Sequence, residues 1–271
     1  RGIAYVADRW WRDAPPLAFE RYLLGTLFFP TFVNGPIEAP HRVAGPWKRP
    51  EPVDLTAGLG RVAIGAIKIV VLALVLPPGW NDTLAPEASA PAWRLWGWSL
   101  LLYAWFFASF SAWSDVAIGL GRVCGRQVTE NFDRPWLAAD PSDFWRRWHV
   151  SLGLWLRDYV YIPLGGNRRH RALNIAAVFL VSAVWHVWGT LKLLGFGYFP
   201  MHAWWGFLCW AALHALAVTL TPRLPRLGIP SLARMATFLF AAWAWIPFFA
   251  PASITVTTGI RMLLRMLFLP T

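Results

Sequence analysis

Residues 143–158 read Asp-Phe-Trp-Arg-Arg-Trp-His-Val-Ser-Leu-Gly-Leu-Trp-Leu-Arg-Asp, a run of aromatic and charged side chains inside a very apolar chain. The run holds three tryptophans, three arginines, two aspartates and one histidine, His149. A charge at the centre of a membrane span costs roughly 2.5 to 3.5 kcal/mol on insertion scales. The segment is therefore not a membrane span, and the apolar runs before and after it are separate elements.

The rest of the composition predicts an all-α, polytopic membrane protein. Hydrophobic residues make up 57% of the 271 residues, whereas soluble domains contain roughly 45 to 50%, and the mean hydropathy is +0.43. A helix needs about 20 apolar residues to cross a bilayer. Such runs predict spans at 55–76, 92–113, 172–190, 202–221 and 235–250, with a shorter apolar segment at 253–269.

The basic residues predict the orientation of these spans. The connections on one side of the membrane carry fifteen Lys and Arg residues, and those on the other side carry two, Arg94 and Lys192. The positive-inside rule places the basic side, with the long connection 114–171, in the cytoplasm. We therefore expect a multi-pass protein of the inner cell membrane. The fifteen residues are Arg42, Lys48, Arg49, Arg122, Arg126, Arg134, Arg146, Arg147, Arg157, Arg168, Arg169, Arg171, Arg223, Arg226 and Arg234.

Membrane lipid is a predicted partner, whereas a metal ion and a nucleic acid are not. The two cysteines, Cys124 and Cys209, lie far apart without metal-ligand spacing, so neither a disulfide framework nor a zinc site is predicted. The net charge of +11 could attract nucleic acid. The topology already explains this charge, because the basic residues are concentrated on one side of the membrane.

Two features of the apolar regions leave alternatives open. Residues 23–37 are apolar but interrupted by Pro30 and Pro36, which is typical of either a re-entrant, cavity-lining segment or an interfacial loop. Lys68 lies near the middle of the span predicted at 55–76, where cations are rare. This lysine either faces inward with a functional role, or the boundary of the span is misplaced.

We predict that residues 143–158 form one helix with Ser142 or Asp143 as its N-cap. Trp145 and His149 then share one face, and Arg146 lies on an adjacent arc. The residues alone leave two interpretations of this helix. It lines the entrance for an anionic substrate, or it lies flat on anionic lipid at the interface.

A second histidine, His186, lies in the apolar run Val181-Ser-Ala-Val-Trp-His-Val-Trp-Gly189. A neutral imidazole in an apolar span can take a proton from a hydroxyl group as that hydroxyl attacks an acyl thioester. A histidine at such a position can also be a core residue that is hydrogen-bonded to a neighbouring helix. The sequence of this span does not decide between the two.

Four motifs occur in order along the chain. They are Phe-Phe-Pro-Thr-Phe-Val-Asn-Gly-Pro-Ile at 28–37, Ser-Asp-Val-Ala-Ile-Gly-Leu-Gly at 114–121 with Asn-Phe-Asp at 131–133, the run at 144–168, and Trp-His at 185–186. Together they resemble the bacterial branch of the membrane-bound O-acyltransferases, which contains the alginate O-acetylation proteins and the teichoic-acid D-alanyl transfer protein. A lone Trp-His pair is a weak signal, but four ordered motifs that span most of the chain are specific. Residues 245–251 resemble the family's Trp-x-Phe-Phe-Arg-Ala pattern without its arginine.

The resemblance implies an all-helical fold with a central funnel, in a single membrane-embedded domain over residues 1–271. The family has further helices before the first motif and after the last, so we expect a partial chain. The resemblance also implies that His186 is the catalytic histidine and that His149 is the second functionally important histidine. The candidate substrate-binding residues are Trp145, Arg146, Arg147, Trp185, Asp115, Asn131 and Lys68.

The resemblance implies O-acyltransferase activity. We expect transfer of a short acyl group, acetyl in the first place, from a cytoplasmic acyl-CoA or acyl-carrier-protein thioester to a hydroxyl group. The acceptor is an extracytoplasmic polysaccharide or an intermediary partner, an extracytoplasmic acyltransferase. The basic cytoplasmic face suits an anionic donor, and no bound cofactor is expected. The alternatives are D-alanyl transfer for teichoic acid and a non-catalytic transporter or lipid-binding scaffold.

Overall fold

The computed structural model describes residues 1–32, 34–45, 51–76, 84–194, 204–223, 228–249 and 255–269. In this part of the chain the regular structure is helical, with an isolated antiparallel bridge between Phe132 and Trp148 in place of any strand. The prediction of an all-α fold is confirmed. The chain folds into two compact units. Unit 1 contains Arg1–Leu76, Phe107–Arg134 and Trp145–Tyr159, and unit 2 contains Pro77–Phe106, Pro135–Phe144 and Val160–Thr271.

The α-helices are numbered here in chain order. They are α1 (Gly2–Trp11), α2 (Phe19–Thr26), α3 (Pro40–Val43), α4 (Pro52–Val75), α5 (Ala92–Val123), α6 (Pro141–Arg147), α7 (Val150–Leu156), α8 (Arg171–Leu194), α9 (Trp204–Leu220), α10 (Pro230–Ala244), α11 (Ile246–Phe249) and α12 (Val256–Met266). Short 3₁₀ turns occur at Phe29–Thr31, Pro135–Leu137 and Thr221–Arg223, and α7 continues into a π turn at Arg157–Tyr161.

Among the described residues, five helical stretches are long and apolar enough to cross a membrane: Asp54–Val75, Ala92–Val123, Arg171–Gly189, Trp204–Arg223 and Pro230–Phe249. Each matches one of the five predicted spans, so the polytopic prediction is confirmed. The last stretch begins earlier than predicted because Pro230 starts the helix at a position where proline is well tolerated. Parts of the predictions lie outside the described residues: 202–203, 250–254, Val33, Lys48, Arg49, Arg226 and the side chain of Lys192.

Helix α5 continues ten residues beyond the predicted end of its span at 113. The apolar run of about 20 residues predicted the end of the span at 113, and Asp115 beyond it is costly in a span when it is unpaired. In unit 1 the Asp115 carboxylate accepts hydrogen bonds from Arg61 Nε at 3.0 Å and from Lys68 Nζ at 2.7 Å. The ion pairs with α4 offset that cost, and the helix continues to Val123.

Close packing between α4 and the second half of α5 depends on glycine. A methyl group on Gly65 would lie 2.6 Å from the carbonyl oxygen of Ala112, and one on Gly58 would lie 2.9 Å from that of Gly119. Both distances are too short for a carbon–oxygen contact. Small residues allow membrane helices to approach this closely. The approach brings the cations of α4 within reach of Asp115.

We expect Gly65→Ala to destabilise unit 1 by about 1 to 3 kcal/mol, because the added methyl group would push two backbones apart. Gly60→Ala is the matched control on the same helix, since nothing lies within 4 Å of the added methyl group. The control should be neutral or slightly stabilising through its higher helix propensity. Thermal unfolding in detergent measures both variants. Equal unfolding midpoints would contradict the packing described for α4 and α5.

Residues 23–32 and 34–37 contain a helix end and a 3₁₀ turn, without a regular span. Thr31 is 3% exposed, whereas Phe29 is 65% exposed. The guanidinium group of Arg1 donates to the carbonyl oxygens of Thr26 at 3.2 Å and of Thr31 at 2.6 Å. The protein itself therefore satisfies carbonyl groups of this irregular backbone, and the re-entrant segment and the interfacial loop both stay predictions.

Unit 2 packs α8 against α9, and α9 against α10 and α11. Ser99 of α5, which is fully buried, donates to the carbonyl oxygen of Ala242 at 2.7 Å. Trp96 and Trp243 anchor the amphipathic helix α12, because their indole nitrogens donate to the carbonyl oxygens of Met266 and Leu263 at 3.1 and 3.2 Å. The described part of the predicted apolar segment, 255–269, thus contains an 11-residue helix that buries one face.

Candidate functional site

The run at 143–158 is not one helix, and that prediction is wrong. Helix α6 ends at Arg147, α7 begins at Val150, and His149 between them has φ 45° and ψ 52°. This left-handed conformation is unfavourable for a residue with a Cβ atom. The polypeptide chain therefore turns at His149, and this turn sets the direction of the imidazole ring.

The N-cap of α6 is Asp140, so the prediction of Ser142 or Asp143 is also wrong. Asp140 Oδ1 accepts the backbone N–H of Asp143 at 2.7 Å, and Asp143 Oδ2 accepts the backbone N–H of Ala139 at 3.0 Å. Two carboxylates thus satisfy donors at the start of the helix, in the manner of a capping box. The sequence contains aspartates at 140 and 143, and only the geometry shows which of them is the cap.

Residues 129–133, called the strap from here on, cause the break between α6 and α7. The backbone N–H of Val150 donates to Asn131 O at 3.0 Å, and the backbone N–H of Asp133 donates to Arg147 O at 2.9 Å. In a continuous helix Val150 would donate to Arg146 O, and Arg147 O would accept from Ser151. The strap takes both roles, and its pairing is the isolated bridge between Phe132 and Trp148.

The side chain of Asn131 connects the strap to two other elements of unit 1. It is fully buried, and its amide Nδ2 donates to Ser114 Oγ of α5 at 3.2 Å. Its Oδ1 accepts from Ser151 of α7, from Oγ at 2.6 Å and from the backbone N–H at 3.3 Å. Ser151 Oγ also accepts the N–H of Ile37 at 2.9 Å. These hydrogen bonds join the side chain of Asn131 to other groups of the protein. That Asn131 contacts the substrate stays a prediction.

The ring of His149 packs against an aromatic cluster on α5 and the strap. Its centroid lies 4.6 Å from that of Phe110, in an edge-to-face arrangement. Phe110 in turn contacts Phe132, which contacts Trp148, both at 5.1 Å and edge to face. The side chain of His149 is only partly buried. The cluster therefore orients an imidazole that retains some accessible surface.

Four charged side chains of unit 1, including that of Glu130 in the strap, form a network. Arg61 bridges Asp115 and Glu130, and its Nη2 lies 2.5 Å from Glu130 Oε2. Lys68 donates to Asp115 and to Ser111 Oγ, at 2.7 and 3.3 Å. Lys68 is therefore an inward-facing residue of α4 and does not mark a misplaced boundary. Substrate contacts by Lys68 and Asp115 stay predictions.

The candidate residues on α6 differ in their surroundings. Trp145 is partly buried and Arg146 is exposed. Arg147 Nη1 donates to the carbonyl oxygen of Asp133 at 3.3 Å and lies 3.4 Å from its Oδ2. Arg147 therefore supports the strap, and substrate contacts by Trp145, Arg146 and Arg147 stay predictions.

Tyr159, in the π turn after α7, joins this turn to α1. Its hydroxyl donates to Asp8 Oδ1 at 2.9 Å, and the guanidinium carbon of Arg12 lies 5.2 Å from the centroid of its ring. Burial, and then the hydrogen bond to Asp8, raise the pKa of the Tyr159 phenol. The phenol stays a neutral donor and holds the end of α7 in place.

The second candidate centre, around His186, lies on α8 in unit 2. His186 Nδ1 lies 2.7 Å from the carbonyl oxygen of Ser182, one turn earlier on the same helix. A carbonyl oxygen can only accept, so a neutral ring carries its hydrogen on Nδ1 and presents Nε2 as the basic nitrogen. The rings of Phe248, Trp210 and Phe207 surround the imidazole, with centroids at 5.1, 5.8 and 6.4 Å. The neighbouring candidate Trp185 is 39% exposed.

His214, which lies on α9, was not among the residues predicted from the sequence. Its position in an apolar span is the same signal that drew attention to His186. His214 is fully buried. Its ring contacts Phe144, Phe179, Trp210, Phe240 and Trp245. These contacts are typical of a core histidine.

A surface groove of unit 2 is a less suitable candidate. Trp93, Trp96, Arg265 and Phe268 contribute to its lining. Neither His149 nor His186 lines it, and its residues include no general base. Among the described residues, no group of three or more His, Cys, Asp or Glu side chains is arranged to hold a metal ion.

Comparison with known proteins shows the family of the chain. The family model described as "MBOAT, membrane-bound O-acyltransferase family" matches residues 17–242. A probable alginate O-acetylase AlgI of Pseudomonas aeruginosa is 32% identical over 253 residues, which cover 91% of this chain and 46% of that protein. A peptidoglycan O-acetyltransferase of Helicobacter pylori is 30% identical over 245 residues, 85% of this chain and 44% of that protein.

A teichoic acid D-alanyltransferase of Bacillus subtilis is 28% identical over 188 residues, which cover 63% of this chain and 47% of that protein. The chain thus spans less than half the length of these three curated relatives. The family model, in contrast, covers most of the chain, including all four sequence motifs. This chain therefore belongs to the membrane-bound O-acyltransferase family.

Proposed function

We propose that the whole protein is an O-acyltransferase that moves an acetyl group from a thioester to a hydroxyl acceptor, with His186 as the general base. The observation that carries the proposal is the hydrogen bond from Nδ1 of His186 to Ser182 O at 2.7 Å. This bond selects the tautomer in which Nε2 can accept a proton. The matches to the O-acetylase of Pseudomonas aeruginosa and the O-acetyltransferase of Helicobacter pylori cover 91% and 85% of the chain, and the match to the D-alanyltransferase covers 63%, which favours acetyl over D-alanyl.

The proposed reaction needs one base and a thioester. His186 Nε2 takes the proton of the acceptor hydroxyl while the hydroxyl oxygen attacks the thioester carbonyl carbon. The carbon–sulfur bond then breaks, and the leaving thiolate takes the proton from the imidazolium. The aromatic rings packed around the partly buried His186 would limit the access of water and thus hydrolysis of the thioester.

Basic residues on the predicted cytoplasmic side support an anionic donor, either acyl-CoA or an acyl-carrier protein. In our proposal Arg146, which is exposed in the last turn of α6, contacts the donor. The fork of an arginine fits phosphate or carboxylate groups. Trp145 and Trp185 are proposed as further substrate contacts. The acceptor is an extracytoplasmic polysaccharide, or a partner acyltransferase that passes the acyl group on.

The proposed location is the inner cell membrane, with residues 1–271 in one membrane-embedded domain and the loop before α8 in the cytoplasm. A cysteine at Asn167, which is exposed in that loop, should react with a membrane-impermeant thiol reagent only from the cytoplasmic side. A cysteine at Ser89, which is exposed before α5, should react only from outside. The two native cysteines are first replaced by serine. The reverse labelling pattern would contradict the orientation and the side of the donor.

A donor assay tests the proposed function. Membranes that contain the whole protein are incubated with a polysaccharide acceptor and either radiolabelled acetyl-CoA, an acetylated carrier protein or a D-alanylated carrier protein. We expect alkali-labile ester label in the polysaccharide with an acetyl donor, and none in membranes without the protein. Label from the D-alanyl donor alone would replace acetyl by D-alanyl in the proposal. No transfer from any donor would refute it.

A further inference from the structure

The turn at His149 is a strained conformation that something must hold in place. A histidine at φ 45° is in the left-handed region, which residues with a Cβ atom rarely adopt. Such conformations persist when surrounding contacts determine them, and they are often found at functional sites. The contacts that hold this turn are therefore informative about the role of His149.

The strap holds the backbone on both sides of His149. Before the histidine, Arg147 O accepts the N–H of Asp133 at 2.9 Å. After it, the N–H groups of Val150 and Ser151 donate to the backbone and side-chain oxygens of Asn131, at 3.0 and 3.3 Å. His149 itself thus stands between two fixed points, which limit the backbone motion that could displace its ring.

The strap is in turn fixed to the rest of unit 1 at several successive residues. The backbone N–H of Thr129 donates to Glu38 Oε1 at 2.6 Å, and Glu38 is 2% exposed. Glu130 is paired with Arg61. The Asn131 amide donates to Ser114 of α5. Because α4, α5 and the segment before α3 hold the strap in place, the strap can restrict the backbone motion of the turn at His149.

We propose that Asn131 and Ser151 are positioning residues that hold His149 in its left-handed conformation for acyl transfer. The proposal rests on the proposed function, because it assigns the two residues a role through His149. Asn131 suits this role because one amide both donates, to Ser114, and accepts, from Ser151. Its complete burial supports a positioning role.

The test is a double-mutant cycle with Ser151→Ala and His149→Gly in the whole protein. Ser151→Ala removes the 2.6 Å bond to Asn131 and should lower kcat about tenfold or more, with the KM for the donor nearly unchanged. Glycine adopts φ 45° without strain. In the His149→Gly background, Ser151→Ala should therefore cause no further loss of residual activity and a smaller loss of thermal stability than in the wild type.

Ser99→Ala is the matched control, because it also removes a buried serine hydroxyl with a 2.7 Å hydrogen bond, in unit 2. It should destabilise the protein without lowering kcat. Wild-type kcat in Ser151→Ala, with His149→Gly inactive, would overturn the positioning role alone. Full activity of His149→Gly would remove His149 from the reaction, and the positioning role with it. If the wild type transfers nothing, the proposed function fails. Independently of activity, stability changes of the two substitutions that simply add in the double variant would show that Ser151 does not hold the turn at His149.

Discussion

His186→Ala is expected to lower the rate of acyl transfer by roughly 10²- to 10⁴-fold, the usual contribution of a general base. The loss should appear in kcat, because the imidazole acts on the hydroxyl during attack and contributes little to binding the donor. Membrane insertion should be unchanged, since a methyl group replaces an imidazole in an apolar span. The donor assay and the amount of protein in the membrane fraction measure the two effects.

His170→Ala is the matched control for His186→Ala, because His170 is an exposed histidine in the loop that precedes α8. It should leave transfer unchanged. Wild-type turnover of His186→Ala would remove this residue from the mechanism. The proton acceptor would then have to be another group of the protein, while the acyl-transfer activity itself would stand.

His149→Gly is expected to separate activity from stability. The variant loses the imidazole, so acyl transfer should fall by at least an order of magnitude. It also relieves a left-handed backbone that costs a residue with a Cβ atom roughly 1 to 2 kcal/mol. Part of this gain is offset because glycine loses more conformational entropy on folding. Thermal unfolding in detergent should therefore show equal or higher stability, a result opposite to that of most substitutions.

Arg134→Gly is the matched control for His149→Gly. Arg134 has the same φ of 45° and lies directly after the strap, but its side chain is 66% exposed. The control should show a similar change in stability with normal transfer. A fall in activity of the same size in both variants would mean that backbone flexibility near the strap, and not the imidazole of His149, limits the reaction.

The two histidines were predictable from the sequence, but their surroundings were not. His149 and His186 stand out because charged or basic residues are rare in an apolar chain, and ordered motifs surround both. The tautomer of His186 depends on the carbonyl oxygen of Ser182, one turn earlier in the same helix. The prediction that 181–189 is helical was therefore sufficient to predict this tautomer. The turn at His149 could not be found in this way, because the groups that break the helix belong to Asn131 and Asp133.

The sequence by itself determined the membrane class, the number of predicted spans and the family, because these depend on composition, on apolar runs and on motifs local in the chain. Only the tertiary structure showed that α5 continues past Asp115, that Lys68 faces inward, and that residues 143–158 form two helices. In each case a hydrogen bond or an ion pair from a distant segment reverses a local preference. Arg61 and Lys68 stabilise the carboxylate of Asp115 in a span, and the strap supplies the partners that end α6 before His149.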